Sequence, residues 1–230
     1  MKTCKKLKNV RFIKIKKKET LYQSWNRGIH VAKGKYLTNA NTDDRHHFKC
    51  LEKLIIKLEE NHDCDVAYGN LYKSSTPNET FTNNDKSIPC FSQKFFPGSF
   101  ILQDFVGAQP VWRKSLHNKI GLFDESFEVV GDYEFFLRAT SYGCGFIHEP
   151  KAEGVMLWHQ SALSTRDSKG IEEKNALFTK YRTPKEIIQF YQRNISSEFF
   201  DSSIDSFLDL GIRSLCYFPQ FASNATHFDF

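Results

Sequence analysis

The 230-residue sequence predicts an α/β protein in which a mostly parallel sheet is flanked by helices. Three observations carry that expectation. Strand-like and helix-like patterns alternate from residue 10 to residue 72, as a parallel, helix-covered sheet requires. A polar cluster stands at the end of one short predicted strand, where open α/β sheets place their ligands. The composition, 40% hydrophobic and 26% charged, is that of an ordinary folded chain and disfavours disorder or low complexity.

Residues 10–15 alternate β-branched or aromatic side chains with lysine and read as a strand. Over 19–33, Leu21, Trp25, Ile29 and Ala32 recur on one helical face, and Gly34 ends the helix in the usual C-terminal position. Residues 36–40 form a short predicted strand leading into Asn41, Thr42, Asp43, Asp44 and Arg45. A helix over about 47–60 presents Phe48, Leu51, Leu54, Ile55 and Leu58, and 65–72 is a further strand.

Residues 74–100 change character, with Ser, Thr, Asn, Pro and Gly dominating around Phe91, Phe95, Phe96 and Phe100. A loop of this length in a compact domain reads as an acceptor-side segment or lid. Next come a strand at 105–112, a short helix at 113–119 and a helix at 131–142 presenting Tyr133, Phe136, Leu137 and Thr140. Short strands at 146–147 and 155–157 flank a turn at Glu149 and Pro150. Beyond Ser161 the pattern is helical, at 171–181, 184–194 and 203–215, so residues 1–165 are expected as the main domain and 166–230 as a helical C-terminal extension.

The net charge of +5 is uneven: residues 1–18 hold eight Lys and Arg11 with no acid, leaving −4 for the rest. With no nucleic-acid-binding motif in an acidic body, a nucleic-acid partner is not expected. The basic start lacks the apolar core of a signal peptide, and no apolar run approaches the roughly 18 residues of a membrane span. Membrane association is therefore expected to be peripheral at most, through the lysines. Six cysteines without a C-x-x-C pair suit reduced thiols of a cytoplasmic protein rather than a zinc or dithiol site.

Three groups can carry chemistry. Asp43 and Asp44, with Asn41 ahead of them, offer hard oxygen ligands to Mg²⁺ or Mn²⁺ on a diphosphate; one of them equally suits a helix cap. Asp132 stands at a helix start, placed as a general base toward a hydroxyl or as a cap, with Glu134 structural. His159, after an apolar stretch, suits a metal or phosphate contact or a structural role. His46 and His47 are adjacent, so on a helix they point about 100° apart and do not share a metal.

Taken in order, these features resemble family 2 glycosyltransferases of the GT-A fold. The family's helix with Asn and Gly, then A-x-G-x-Y and a strand ending in an acidic metal motif, is similar to Asn26, Gly28, Ala32, Gly34 and Tyr36 followed by Asn41 to Asp44. Its G-x-F-D-E-x-F run, then an acid ahead of a helix ending in Arg, is similar to Gly121, Phe123, Asp124, Glu125 and Phe127, then Asp132 and Arg138.

Over residues 10–165 the resemblance implies a Rossmann-like GT-A domain that inverts at the anomeric carbon. It implies a nucleotide-diphosphate sugar as donor and a glycan or lipid-linked acceptor, in polysaccharide or glycan biosynthesis. Asp44 and Asp43 would hold a divalent cation (Mn²⁺ or Mg²⁺), Asn41 and Asp43 the donor, His159 the metal or phosphate, and Asp132 would deprotonate the acceptor. Asn41 stands where many members carry the first Asp of D-x-D. Residues 8–15 resemble the family's third strand, which implies an N-terminally truncated or split copy, or a polypeptide supplying the missing strands. The alternative is a non-catalytic remnant that binds a partner without turnover.

Overall fold

A computed structural model describes residues 10–90, 92, 94–95, 100, 104–158 and 167–181. Helix α1 (Leu21–Val31) opens on a capping box, in which the Gln23 amide donates to Thr20 Oγ1 at 3.4 Å and Thr20 N–H donates to Gln23 Oε1 at 3.0 Å. It buries Tyr22, Asn26 and Ile29, with Trp25 packed beside them. The expected face is therefore rotated by one position, and Leu21 faces water.

Strand β1 (Tyr36–Thr38) precedes β2 (Arg45–His46) and α2 (Cys50–Glu60). On α2, Cys50, Leu54 and Leu58 are buried against Ala67, Val111 and Ala152. Phe48 precedes the helix and is 83% exposed, not part of its core face. The chain continues through β3 (Cys64–Ser74), β4 (Pro89–Cys90), β5 (Val111–Arg113), α3 (Leu116–Ile120), α4 (Gly131–Ser141), β6 (Gly145–Leu157) and α5 (Asp167–Tyr181). The helix expectations at 184–194 and 203–215 lie outside the described residues.

The strand order is β1-β5-β3-β6-β2, with β4 also on β3. Only β3 and β6 run parallel, and the other pairings are antiparallel. The α/β class stands, but the sheet is mixed rather than mostly parallel. Parallel neighbours need a long crossover, which α3 and α4 provide between β3 and β6; β4 returns on β3 with no helix between. Residues 10–15 form no ladder, and Val10, Phe12, Ile13 and Ile15 are 40–49% exposed. Alternation decides which side chains share a face, but a strand also needs a partner, so the pattern alone misleads here.

The two short strands expected around Glu149 and Pro150 are one strand with a bulge. Tyr68 pairs with His148 and Asn70 with Glu153, so residues 149–152 loop out of register, steadied by Asn70 Nδ2 donating to Pro150 O at 3.0 Å. Gly69 lies under the bulge, where any Cβ would collide with the Ala152 backbone.

The main core is aromatic: Phe123 stacks near Phe135 (4.3 Å between ring centres), Phe100 near Phe105 (4.5 Å) and Phe95 near Phe146 (4.8 Å). Helix α4 is buried nearly all round, Phe135 and Ala139 included, and α5 adds Leu177 to the same core.

Candidate active site

Two buried polar clamps shape the site. Asn26, 3% exposed, donates from Nδ2 to Phe123 O and to Glu125 Oε1 (both 2.9 Å) and accepts from Phe123 N–H at 3.0 Å. Glu134, 1% exposed, pairs with Arg138 at 2.8 Å and accepts from Tyr181 Oη at 2.8 Å. Arg138 in turn donates to the carbonyls of Ile120 and Leu122. The loop 121–127 is thus held between α1 and α4, and the two sequence runs that carry the family resemblance meet in space.

Glu173 on α5 completes the frame. Its carboxylate accepts from the amides of Glu128 (2.8 Å), Val129 (2.9 Å) and Val130 (3.1 Å), the segment entering α4. A negative charge at that position satisfies otherwise unpaired amides and complements the positive end of the helix. These clamps put Asp132 in the first turn of α4.

The Asp132 carboxylate accepts at Oδ1 from Tyr22 Oη (3.2 Å) and from Tyr133 N–H (2.9 Å). Tyr22 is fully buried and also donates to Val129 O at 2.9 Å. Burial drives its phenol far above the usual range, so it serves as a donor and never as a base. Gly131 lets this contact form, since a Cβ there would lie 2.6 Å from Tyr22 Cε2. Burial raises the Asp132 carboxyl above its ordinary value, against the opposing pull of the Tyr133 amide, Tyr22 and the Lys174 charge.

Asp132 lines a cleft with Trp25, Asn39, Gly107, Pro110, Trp112 and Phe123. Asn39 reaches it from the carboxyl end of β1. Its Nδ2 donates to Ala108 O at 2.9 Å, and its Oδ1 is buried with no hydrogen-bond partner among the described residues.

Five residues on from Asn39, Asp44 lies between the ends of β1 and β6. Its Oδ2 accepts from Asn41 Nδ2 (2.8 Å) and its Oδ1 from Leu157 N–H (3.2 Å). Burial raises the Asp44 carboxyl and the Asp43 charge adds to this, while the two hydrogen bonds oppose it. Asp43 is exposed.

Asn41, Asp43 and Asp44 therefore gather at one strand end, and Asn39 links that end to the Asp132 cleft. His159 lies outside the described residues. Among the described residues no three His, Cys, Asp or Glu side chains converge as a metal cage. A cation shared with substrate phosphates needs only one or two protein carboxylates, which Asp44 and Asp43 can supply. The four described cysteines, Cys50, Cys64, Cys90 and Cys144, are free thiols.

Sequence reasoning missed Tyr22, Asn39 and Glu173. Each is a single polar or aromatic residue whose partner is distant in the chain, and only Glu173, a lone acid on an otherwise regular helix pattern, carried any local signal.

The chain is thus an α/β protein with a clamped G-x-F-D-E loop and carboxylates at strand and helix ends. The sequence matches the family described as Glycosyl transferase family 2 over residues 2–121, more than half of its length. The chain belongs to that family, and its mixed α/β architecture is GT-A-like.

Two solved structures share 15% identity with it at a TM-score of 0.44. One is S. aureus TarS 1-349, with 59% of this chain and 40% of that chain covered. The other is S. aureus TarS, with 60% and 24% covered. The chain thus spans well under half the length of either. No curated protein matches the sequence. No described helix is long and apolar enough to cross a membrane.

Proposed function

We propose that the chain transfers a sugar, with inversion, from a nucleotide-diphosphate sugar to an acceptor hydroxyl, in glycan or polysaccharide biosynthesis at the cytoplasmic side. The observation that carries this reading is the placement of Asp132. It is a carboxylate with raised basicity in a cleft, and the donors Tyr22 and Tyr133 both meet it at Oδ1. Oδ2 is then the oxygen that would receive the proton of an incoming hydroxyl.

As the acceptor oxygen forms its bond to the anomeric carbon, the bond from that carbon to the diphosphate breaks on the opposite face. The acceptor proton passes to Asp132, and Tyr22, locked as a donor, keeps the carboxylate oriented. Asn39 Oδ1, buried and unpartnered, is a ready acceptor for a sugar hydroxyl.

A divalent cation held by Asp44 and Asp43, with Asn41 on the donor and His159 as a further contact, would neutralise charge building on the departing nucleoside diphosphate. Asp44's engagement by Asn41 and Leu157 favours a second reading, in which that loop is structural and the chain binds a partner without turnover.

Calorimetric titration of UDP and GDP, with and without Mn²⁺, separates the two. Saturable binding that needs Mn²⁺ and is abolished by Asp44→Ala supports the donor reading. Folded protein that binds neither nucleotide would leave the partner-binding reading. An Asp132→Asn variant that keeps nucleotide binding but loses transfer would place the base.

A further inference from the structure

His117, on the short helix α3, belongs to neither sequence run of the family resemblance and takes no part in the reaction as outlined, yet both of its ring nitrogens are engaged. Nε2 meets the Trp112 indole Nε1 at 2.9 Å, and Nδ1 meets Gly121 O at 2.9 Å. An indole nitrogen only donates and a carbonyl oxygen only accepts. The pair of bonds therefore fixes a neutral imidazole with its proton on Nδ1 and a bare Nε2.

Both partners shape the Asp132 cleft. Trp112, on β5, lines it together with Phe123 and Asp132. It is 3% exposed, so its N–H has no ready exchange with water. Gly121 opens the loop that brings Phe123 to the cleft. Its φ of 83° is left-handed, and its own N–H donates to His117 O at 3.1 Å. The imidazole packs on Phe135 and Phe123, with ring centres 5.1 and 6.0 Å away. One ring thus ties β5 to the G-x-F-D-E loop.

The charged and titratable groups acting on His117 are Arg138 from α4, Lys114 just ahead of α3 and His30 from α1, with Glu134 paired to Arg138. Burial lowers the imidazole below its ordinary value, and these basic neighbours act in the same direction, against the pull of the Gly121 carbonyl.

We propose that His117 is a positioning residue for the cleft, holding the Trp112 wall while neutral and releasing it when a second proton is added at Nε2. That proton comes from solvent and the indole keeps its own, so two donors face each other where one hydrogen bond stood. The cleft then keeps its shape at neutral pH and loosens in acid. Its bearing on sugar transfer rests on the reading of the cleft given above, whereas the hydrogen-bond device does not.

Imidazole ¹⁵N and indole ¹H–¹⁵N spectra of the full chain, recorded without substrate, are followed from about pH 8 to about pH 4.5, across the ordinary histidine value. Nuclear Overhauser contacts with the His117 ring assign the Trp112 indole. A protonated Nδ1 and a bare Nε2 are expected at neutral pH, with a His117 midpoint below roughly 6.5. The Trp112 indole proton moves upfield with the same midpoint.

His117→Gln, whose side-chain oxygen accepts from the indole and does not titrate, abolishes that movement; Asp132→Asn preserves it, because the carboxylate is not its source. A proton on Nε2 at neutral pH, a His117 that takes up no proton over the range, or a Trp112 resonance that stays still while His117 titrates overturns the proposal. These three outcomes are read in the wild type, so they stand whether or not a variant folds. Movement that persists in His117→Gln or vanishes in Asp132→Asn, with folding verified by circular dichroism, overturns it as well. Failure of the glycosyl-transfer reading is decided separately, by the nucleotide titration.

Discussion

Replacing Asn26 by Ala removes three hydrogen bonds at a site 3% exposed, two of them to Phe123's own backbone. No water can reach the site easily, so the Phe123 N–H and C=O are left without partners. Each stranded buried group costs about 1–3 kcal/mol, so a loss of about 2–5 kcal/mol is expected. That is a large part of the roughly 5–15 kcal/mol that holds a domain folded. Urea unfolding followed by tryptophan fluorescence suits the measurement, because Trp25 lies 5.2 Å and Trp112 6.1 Å from the Phe123 ring. Asn26→Asp is the informative companion. It retains the acceptor for Phe123 N–H but faces Phe123 O and Glu125 with a charge, and it should be at least as destabilised as Ala. A change below about 0.5 kcal/mol in Asn26→Ala, the range of an ordinary surface substitution, would refute the clamp argument.

Three further outcomes follow from the same frame. Glu134→Ala leaves the Arg138 guanidinium half-buried without its carboxylate, and a loss of about 3–5 kcal/mol is expected in denaturant unfolding. Gly131→Ala drives a methyl into the Tyr22 ring. It should destabilise by about 1–3 kcal/mol, with a nuclear Overhauser map showing Tyr22 displaced from Asp132. Stability should also depend on pH through Asp132, whose carboxyl burial raises above the ordinary aspartate range, so the folded chain holds that proton more tightly than the unfolded one. That contribution is complete below about pH 4, near the unfolded value, and is lost as pH rises through the raised folded value. Asp132→Asn should flatten the slope in urea titrations above about pH 4.

Much of this architecture was legible in the residues. The α1, α2 and α4 helices and the β1 and β3 strands follow from periodicity, since each buries one face or, for α4, nearly every face. The Asn26 run and the G-x-F-D-E run were visible as separate motifs, but the hydrogen bonds that join them span about a hundred positions, which no local pattern encodes. Residues 10–15 show the converse, a clean strand alternation without a partner to pair with among the described residues. The β6 bulge was read as a turn because Pro150 interrupts a ladder, and only the register against β3 reveals that the strand resumes. At the site, the aspartates drew notice as charged residues in unusual places, whereas Tyr22 passed as one more aromatic residue on a helix.

The three amides that Glu173 receives stand 43, 44 and 45 positions before it. A chain leaves the ribosome from its N-terminus at roughly 5–20 residues per second, so the entry to α4 is made well before its acceptor exists. Until α5 emerges, those amides can only bind water, and the turn that orients Asp132 stays unfinished however complete the sheet behind it. The order of synthesis therefore makes the cleft one of the last parts of the described fold to mature. A nascent chain halted just short of residue 173 would carry every residue of the cleft named above without the frame that aims its base.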